Sequence, residues 1–356
     1  MLFAEFFAGG GMVSEALSPR WTCVYANDFS PKKAWAYKAN HKTHANALTV
    51  KPIQDVTGDE VPDVDLMWGS FPCQDLSVAG KGLGLSGARS GTFFEFCRVI
   101  DEMKAVGRVP TVIALENVVG LERSSGGRDI KLLMSELKRR GYVVGRTRLD
   151  AVHFLPQSRP RLFIVAVQED VFAANNGLLE LDVRGGDWHI PPTTKPPVDL
   201  SRVMQDKPAG VDWHTQPQTK TLLGMMSPIN LAKVQAARAR PGPQTGFIYK
   251  RTRIEDGVRI QRAEIRFDGV AGCLRTPGGG SSRQLVMVVD GQATKSRLLS
   301  PREGARLMGL PDSYILPDKY NDAYYLLGDG VAVPVVAHLA KHLIEPLISS
   351  ALEAVA

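Results

Sequence analysis

Hydrophobic and polar positions follow two regular patterns over the first half of the chain. Short apolar runs that suit buried strands end in glycine or polar turns, and stretches with helical spacing of apolar residues follow them. Strands that alternate with helices in this way form parallel, doubly wound sheets. The pattern predicts strands at 2–7, 21–26, 111–115, 142–150 and 162–167, a short strand ending in 54–56, an apolar run ending at Gly69, and helices at 32–40, 92–105 and 129–140.

The pattern changes after about residue 168. Proline, glycine, asparagine and charged residues dominate there, and regular alternation does not return until about residue 297. Such a shift predicts a smaller, irregular domain at 170–291, inserted into an α/β domain made of 1–169 and 292–356. A capping box at Ser300, Pro301 and Glu303 predicts a helix start, and the last helix is predicted at 338–347.

Charge adds a second reason to separate the inserted segment. The 356-residue chain has a net charge of +6, and the nine basic and three acidic residues between 233 and 266 account for all of it. An excess confined to one segment predicts a surface that contacts phosphate groups, although a charge run is more often only a solvated face. The basic candidates are Arg251 and Arg253, followed by Arg275, Ser282 and Arg283 in a polar glycine loop.

Composition argues against several classes of protein. We find no run of 18 apolar residues, so no membrane helix is predicted, and the apolar N-terminus lacks a basic leader and suits a first strand better than a signal peptide. The four cysteines have no paired spacing, and the seven histidines form no ligand-spaced cluster. We therefore expect a cytoplasmic protein without disulfides or a metal.

Cys73 is the strongest candidate for chemistry. It follows Pro72, which fixes its own backbone and restricts Phe71, and it precedes a glycine-rich polar stretch at 77–91. Free cysteines are usually packed in a core, but core cysteines seldom lie between a proline and a glycine-rich loop. The placement predicts a stiffly oriented nucleophile beneath a flexible lid.

Further charged candidates follow the predicted strands. Glu116 ends five largely apolar residues, at the edge where open α/β sheets keep their ligand crevice and a carboxyl group can act as an acid. A salt bridge to Arg123 or Arg159 is the alternative interpretation. Arg159 and Arg161 are two positions apart, so on an extended segment they point to one side and need anions or carbonyls to meet.

The first strand ends suit a cofactor that contains adenosine. Gly9 and Gly11 lie in a strand–turn–helix sequence, which brings backbone N–H groups to a ligand. Asp28 lies 17 residues past Gly11, where a carboxylate can accept from ribose hydroxyls, and Phe29 can stack on an adenine. A helix cap at Asp28 or Ser30, before Pro31, is the alternative, and both roles are compatible. Asp55 is placed to meet the adenine amino group.

The whole series resembles the DNA (cytosine-5)-methyltransferase family over nearly the full chain. The resemblance implies a Rossmann-like domain that binds S-adenosylmethionine, a last helix that returns beside the first motif, and an inserted target-recognition domain. Three positions depart from the family pattern, namely Glu5 for an aspartate, Met12 for a glycine and Asp329 for an asparagine. The segments that carry the resemblance are 7–11, 69–77, 116–118, 157–161, 302–312 and 328–331.

The resemblance also assigns roles to residues. It implies that Cys73 is the nucleophile, that Glu116 is the acid at the cytosine, and that Arg159 and Arg161 contact the base or stabilise charge. The residues predicted to bind the cofactor are Phe7, Gly9, Gly11, Asp28, Phe29, Asp55, Val56, Pro72 and Val331. The residues predicted to bind DNA are Gln74, Ser77, Lys81, Arg89, Arg251, Arg253, Arg275, Ser282 and Arg283.

The implied activity is methyl transfer from S-adenosylmethionine to C5 of a flipped-out cytosine in a specific double-stranded DNA sequence, leaving S-adenosylhomocysteine. We expect a monomer from a prokaryotic cell or phage, with a cognate restriction endonuclease as a candidate partner. An RNA (tRNA) cytosine-5 methyltransferase and a non-catalytic DNA-binding regulator are the alternatives. A dinucleotide oxidoreductase explains neither Pro72–Cys73 nor the basic segment.

Overall fold

The protein folds into two compact units. The computed structural model describes residues 1–72, 91–174, 181–182, 185–195, 197–276 and 283–349. The first unit combines Met1–Asp150, Pro160–Thr194 and the chain from Val333 onward, and the second combines Ala151–Arg159 and Lys195–Ala332. Residues 292–332, which the sequence groups with the catalytic domain, therefore pack within the second unit. The assignment of 170–291 to target recognition stays a prediction.

The helices and strands alternate over the first half of the chain as the sequence predicts. In chain order they are β1 (Leu2–Phe6), α1 (Met12–Leu17), β2 (Thr22–Asp28), α2 (Pro31–Asn40), β3 (Leu48–Val50), β4 (Leu66–Gly69), α3 (Thr92–Ala105), β5 (Val112–Val118), α4 (Arg128–Lys138), β6 (Tyr142–Asp150), β7 (Pro160–Gln168), α5 (Glu169–Ala174), β8 (Leu181–Asp182), β9 (Asp187–Trp188), α6 (Gln216–Gly224), α7 (Pro228–Arg238), β10 (Gln244–Glu255), β11 (Val258–Arg266), β12 (Leu285–Asp290), β13 (Ala293–Leu298), α8 (Pro301–Leu307), α9 (Tyr320–Asp329) and α10 (Val333–Leu339).

One sheet organises the first unit. In the described part of the chain its nine strands have the order β3-β2-β1-β4-β5-β7-β6-β9-β8. The strands from β3 to β5 run parallel, whereas β7 is antiparallel to both β5 and β6. The strand order reverses between β1 and β4, and open α/β sheets bind ligands outside the carboxyl ends of the strands at such a point. We therefore expect a ligand site at the carboxyl ends of β1 and β4.

The core beneath this sheet edge contains the helix face that the sequence predicts. Phe93, Phe96, Cys97 and Ile100 of α3 are all buried. Phe96 meets Phe6 edge-to-face, with 5.3 Å between ring centroids. These side chains pack α3 against the sheet and fix the backbone on either side of the β1 and β4 ends.

The C-terminal helical segment returns to the start of the first unit, as the resemblance implies. The indole Nε1 of Trp21 donates to Oε1 of Glu345 at 3.2 Å, and α10 packs beside α1. Among the described residues, the stretch Tyr320–Ser349 is apolar and long enough by composition to cross a membrane. Most of its apolar window is buried inside the protein, which is typical of a core helix.

The second unit is more regular than the sequence indicates. Its described residues form an antiparallel sheet in the order β11-β10-β12-β13, and α6 and α7 cover one face through Leu222, Val234, Ile248 and Met287. The pattern missed β10 and β11 because their outer halves are exposed on both faces. Without one buried face, a strand has no apolar–polar alternation to reveal it.

The short strand predicted to end in 54–56 is present as β3, but it ends earlier than predicted. β3 ends at Val50, and Ile53–Asp55 instead forms a single 3₁₀ turn preceded by Pro52. Proline lacks a backbone N–H and cannot continue the ladder with β2. Asp55 therefore lies on a turn beyond the sheet.

Candidate functional site

The turn after β1 has an unusual backbone. Phe7, Gly9 and Gly11 all have positive φ, at 59°, 58° and 78°. This conformation is rare for a residue with a side chain, and strain of this kind clusters at functional sites. Two backbone bonds fasten the turn, because the N–H of Gly11 donates to the carbonyl of Ala8 at 2.8 Å and that of Ala8 to Asn27 at 2.9 Å.

Asp28 links this turn to the end of β2. Its side chain is buried, Oδ2 accepts from the N–H of Gly9 at 2.9 Å, and Oδ1 accepts from that of Ser30 at 2.8 Å. The hydroxyl of Ser30, rather than the carboxylate of Asp28, caps α2 by accepting from the N–H of Lys33. Of the two predicted cap candidates, Ser30 is therefore confirmed and Asp28 is wrong. Beside it, 64% of the Phe29 side chain is exposed, so an aromatic face is open to a ligand.

A buried polar cluster lies behind the glycine turn. The Ser14 hydroxyl donates to Oε2 of Glu5 at 2.6 Å, and it lies 3.3 Å from the Tyr37 hydroxyl, which donates to the Cys23 sulfur. Burial raises the pKa of Glu5 to about 8. Glu5 is therefore largely neutral near pH 7. The sequence marks Glu5 only as a departure from the family pattern, and nothing in it reveals the cluster.

The turn that carries Asp55 and Val56 is held by an arginine that the sequence analysis missed. Nη2 of Arg98, on α3, donates to the carbonyls of Ile53 at 3.1 Å and Val56 at 2.9 Å. The same guanidinium pairs with the carboxylates of Glu95 and Glu102. Asp55 is exposed, whereas Val56 is fully buried. A cation–carbonyl contact 42 residues apart in sequence leaves no local pattern to detect.

These residues fit a cofactor with an adenosyl group. A Cβ added at Gly9 would meet only the end of the Lys33 side chain, at 4.0 Å, so the turn is open on that side. The buried carboxylate of Asp28 keeps acceptor capacity beyond its two backbone bonds. The exposed ring of Phe29 follows it directly. An open turn, a carboxylate and an aromatic face are the groups that a ribose and an adenine need.

The predicted cofactor residues belong to both compact units. In the first unit, hydrogen bonds join the glycine turn to Asp28, and Pro72 follows the end of β4. Val331 belongs to the second unit, where it is buried. The cofactor role of each of these residues stays a prediction.

Glu116 and Arg161 form an ion pair at the end of β5. The Nε of Arg161 lies 2.9 Å from Oε1 of Glu116, and both side chains are mostly buried. The antiparallel register of β5 and β7 pairs Glu116 with Phe163 and Val118 with Arg161, which makes the two charged residues diagonal neighbours on one face. The predicted alternative of a salt bridge to Arg123 or Arg159 is therefore wrong as to partner. The sequence predicted that Arg159 and Arg161 each need an anion or carbonyls as partners. For Arg161, the partner is the carboxylate of Glu116.

Arg159 has a different environment in the second unit. Nη1 donates to the carbonyl of Leu274 at 2.7 Å, and Nη2 donates to those of Gly328 at 3.0 Å and Gly330 at 2.5 Å. The side chain is buried. The sequence required anions or carbonyls for this arginine, and the structure provides carbonyls. A contact between Arg159 and a base stays a prediction.

The backbone that leads to Cys73 is anchored by two neighbours. The ring of Phe71 packs against Phe93 at 5.6 Å between centroids, and Nδ2 of Asn117 donates to the carbonyl of Phe71 at 3.4 Å. Asn117 follows Glu116 directly, and no role for it was predicted from the sequence. Five predicted residues, Cys73, Gln74, Ser77, Lys81 and Arg89, lie outside the described residues.

The predicted DNA-binding residues of the second unit have several settings. Arg251 and Arg253, on β10, both pair with Glu264 of β11. Arg283 donates to Oδ1 of Asn321 at 2.7 Å. Arg275 is exposed, and Ser282 lies outside the described residues. The contacts of these residues with DNA stay predictions.

The segment 302–312, which helps to carry the resemblance, stabilises the second unit from within. The Ser300–Glu303 capping box is present, as predicted. Glu303 also pairs with Arg297 through two contacts of 2.7 Å, with both side chains buried. One buried carboxylate therefore serves both the helix cap and the arginine.

Comparison with known proteins gives a consistent result. Residues 1–345 match the sequence profile of the C-5 cytosine-specific DNA methylases. Type II methyltransferase M.DsaV of Dactylococcopsis salina is 28% identical over 345 residues, which cover 96% of this chain and 85% of that protein. Type II methyltransferase M.HhaI of Haemophilus parahaemolyticus is 27% identical over 349 residues, which cover 96% and 93%.

Solved structures share the fold at lower identity. The S. pombe Dnmt2 methyltransferase has a TM-score of 0.59 at 20% identity and covers 98% of this chain and 99% of its own. The methyltransferase EhMeth of Entamoeba histolytica has a TM-score of 0.63 at 14% identity and covers 99% and 98%. At these identities the likeness concerns the fold alone.

Proposed function

Because the chain belongs to the C-5 cytosine-specific DNA methylase family, we propose that it methylates a flipped-out cytosine in a specific double-stranded DNA sequence through a covalent bond between Cys73 and C6. The family is one of DNA methyltransferases that use S-adenosylmethionine as the methyl donor. We propose, beyond the family's activity, the covalent route, the flipped base and the roles of individual residues.

C5 of cytosine is too weak a nucleophile to attack a methyl group directly. The enzyme therefore needs a nucleophile of its own that adds to C6 and activates C5. A Cys73 thiolate adds to C6, and the electrons of the C5–C6 double bond make C5 enamine-like while charge develops at N3. Glu116 meets N3, and Arg161 holds O2 as the ring loses aromaticity. When bound, S-adenosylmethionine supplies an electrophilic methyl group. C5 takes this methyl group as the methyl–sulfonium bond breaks, which leaves S-adenosylhomocysteine. C5 then loses its proton to a base, and the C6–S bond breaks to release the thiolate.

The thiol must be activated for this addition. A free thiol with a pKa near 8.5 is only a few per cent ionised at about pH 7, so nearby positive charge increases the reactive fraction. The target carbon lies inside the base stack of a duplex, so the nucleotide must leave the stack to reach Cys73. The proposed lid at 77–91 closes over the extruded base.

The single observation that carries the proposal is the Glu116–Arg161 pair. An acid and a cation lie 2.9 Å apart at the carboxyl end of β5. Asn117, the next residue, holds the carbonyl of Phe71, two positions before the proposed nucleophile. Glu116, proposed for N3, lies on β5 beside β4, the strand before Cys73 in sequence, and Arg161, proposed for O2, lies on β7 on the other side of β5. This arrangement supports the proposed roles.

The setting of the enzyme follows from its relatives. Similar proteins are named Type II methyltransferases, and we infer a cytoplasmic, monomeric modification enzyme of a prokaryote or phage. A restriction endonuclease that cuts the same sequence is the proposed partner. We favour double-stranded DNA over tRNA as substrate because the net charge of the chain is concentrated at 233–266.

Labelled methyl transfer to duplex DNA and to tRNA, assayed side by side, tests the proposal. The wild-type chain should label DNA and yield 5-methylcytosine after digestion. A Cys73→Ser variant should lose this activity, and a Cys97→Ala variant should retain it, because Cys97 is buried in the core of α3. Labelling of tRNA alone, or full activity of Cys73→Ser, would contradict the proposal.

A further inference from the structure

The hairpin of β10 and β11 extends beyond its sheet. β12 pairs with β10 only from Gln244 to Ile248, whereas β11 pairs with β10 along its whole length. Residues 249–264 therefore form a two-stranded ribbon in the described part of the chain. Seven residues of β10 at about 3.4 Å each make the ribbon about 20 Å long. Its tip is a two-residue turn, Asp256–Gly257, with φ of 49° and 78°, the type I′ geometry that fits a tight hairpin.

One face of this ribbon, which we name the paired face, is internally neutralised. It carries Arg251, Arg253 and Arg262 together with Glu255 and Glu264. Nε of Arg253 lies 2.6 Å from Glu264 Oε1, and Nε of Arg262 lies 2.8 Å from Glu255 Oε1. These cross-strand pairs hold the arginines in place and leave little excess charge.

The opposite face, which we name the open face, has no acidic residue. The register pairs Thr252 with Gln261 and Ile254 with Arg259, and Lys250 lies on the same face nearer the sheet. The side chains of Thr252, Arg259 and Gln261 are exposed, and 72% of Ile254 is exposed. An isolated ribbon that exposes both faces is only marginally stable in water, so a partner that covers one face would stabilise it.

We propose that the open face reads base edges of duplex DNA, with Arg259 and Gln261 as specificity-determining residues. The inference rests on the proposed function. The major groove is about 12 Å wide and admits a two-stranded ribbon. Arginine suits the O6 and N7 acceptors of guanine, glutamine suits N6 and N7 of adenine, and an apolar side chain such as Ile254 suits the thymine methyl group.

The occupant is DNA rather than a second copy of this chain. The open face adds Lys250 and Arg259 without an acid, so two copies would bring like charges together. A polyanion instead gains from the same charges. The inference shifts base reading away from Arg251 and Arg253, whose side chains are held by Glu264 on the paired face.

A randomised duplex library tests this inference. The purified full chain would methylate the library with S-adenosylmethionine, and bisulfite sequencing would give the sequence around each modified cytosine. Arg259→Ala and Gln261→Ala should each reduce discrimination at one or two positions of the wild-type sequence preference by about 5- to 150-fold. Arg240→Ala is the matched control, because it removes one exposed positive charge of the same unit outside the ribbon.

The outcomes separate the two proposals. Relaxed discrimination in Arg259→Ala and Gln261→Ala, with an unchanged preference in Arg240→Ala and unchanged unfolding curves, supports the reading role. An unchanged preference in both ribbon variants of an active enzyme overturns it. If the free wild-type chain sediments as a dimer that Ile254→Asp dissociates, the face binds a second copy and the inference is wrong. No methylation by the wild-type chain refutes the proposed function and this inference with it.

Discussion

Glu5 shows how one buried carboxyl group makes stability depend on pH. Its pKa is about 8 in the folded chain and 4.5 when exposed. Between these values the folded state binds more protons than the unfolded state, so the free energy of unfolding falls as the pH rises. Ser14, Tyr37, Cys23 and Asp28 surround the group, and none of them supplies a neutralising cation.

Glu5→Gln should therefore stabilise the protein more at pH 8 than at pH 5. Glutamine keeps an acceptor for the Ser14 hydroxyl but removes the charge that burial disfavours. The gain in the free energy of unfolding from pH 5 to pH 8 should be at least about 1.4 kcal/mol, the value of a tenfold change in proton affinity. Urea denaturation at both pH values measures it.

The control for this prediction is Glu60→Gln. Glu60 is exposed, and its hydrogen bond with Lys51 lowers its pKa. Its carboxylate is ionised in both folded and unfolded states across this pH range, so its substitution should change stability equally at pH 5 and pH 8. Equal effects of Glu5→Gln at the two values would show that Glu5 is ionised in the folded protein.

Glu116→Gln should lower kcat by about 10²- to 10⁴-fold, the usual contribution of a positioned acid or base. Glutamine keeps the approximate shape but cannot donate a proton to N3. The matched control is Glu136→Gln on α4, which breaks an equally short ion pair of 2.9 Å with Arg140. Steady-state methylation with saturating DNA gives kcat, and a gel-shift assay shows whether DNA binding is kept. Wild-type kcat in Glu116→Gln would exclude it from the chemistry.

At the scale of elements, the turn between β1 and α1 is the most constrained piece of backbone. Gly11 has a φ of 78°, and a Cβ there would lie 2.4 Å from Nε2 of His41 and 2.9 Å from Cδ2 of Tyr37. Gly107 has the same φ, at 77°, but nothing lies within 4 Å of its Cβ position. Alanine variants at these two positions therefore separate two free-energy costs. Gly107→Ala has only the cost of the positive φ, and Gly11→Ala adds the cost of the steric clash.

Gly107→Ala should destabilise the protein by about 1–2 kcal/mol, the cost of a left-handed conformation. Gly11→Ala should cost about 1–3 kcal/mol more, because overpacking adds to that strain. It should also weaken S-adenosylmethionine binding by distorting the turn, whereas Gly107→Ala should not. Urea denaturation and calorimetric titration measure the two effects. Equal stability of the two variants would mean that His41 moves away freely.

The elements that the sequence predicts best are those with one buried face. The amphipathic spacing of Phe93, Phe96 and Ile100 predicted α3 with its observed bounds, Thr92–Ala105. The 3₁₀ turn at Ile53–Asp55 was missed because Arg98, distant in sequence, determines its shape. The ribbon was missed because its outer half buries neither face, so its few apolar residues do not alternate regularly with polar ones.

At the scale of the whole chain, the order of motifs predicted more than any one of them. Six segments in family-like order indicated the fold and the methyl donor before any contact was known. What they did not reveal is how the charged groups are partnered. Glu116 pairs with Arg161 through the register of β5 and β7, and Arg159 binds carbonyls of the second unit. Strand register is a tertiary property that spacing along the chain does not contain.

The two units hold different groups of predicted residues, although Arg159 and Val331, predicted for catalysis and cofactor binding, belong to the second. The first unit contains the glycine turn, Asp28 and the Glu116–Arg161 pair, and the second contains the ribbon and the basic segment. Chemistry and sequence reading should therefore respond to different substitutions. Glu116→Gln should reduce the rate of methylation and leave the preferred DNA sequence unchanged. Gln261→Ala should relax the sequence preference and leave the rate on the preferred sequence largely unchanged.

The central claim is that Cys73 adds to C6 of cytosine, and mechanism-based trapping tests it most directly. Duplex DNA with 5-fluorocytosine at the methylated position has fluorine in place of the proton that must leave C5, so the enzyme cannot complete the elimination. In the presence of S-adenosylmethionine the wild-type chain should form a complex stable to denaturation, and mass spectrometry should place the DNA on Cys73. No complex, or one attached to a different residue, would contradict the account.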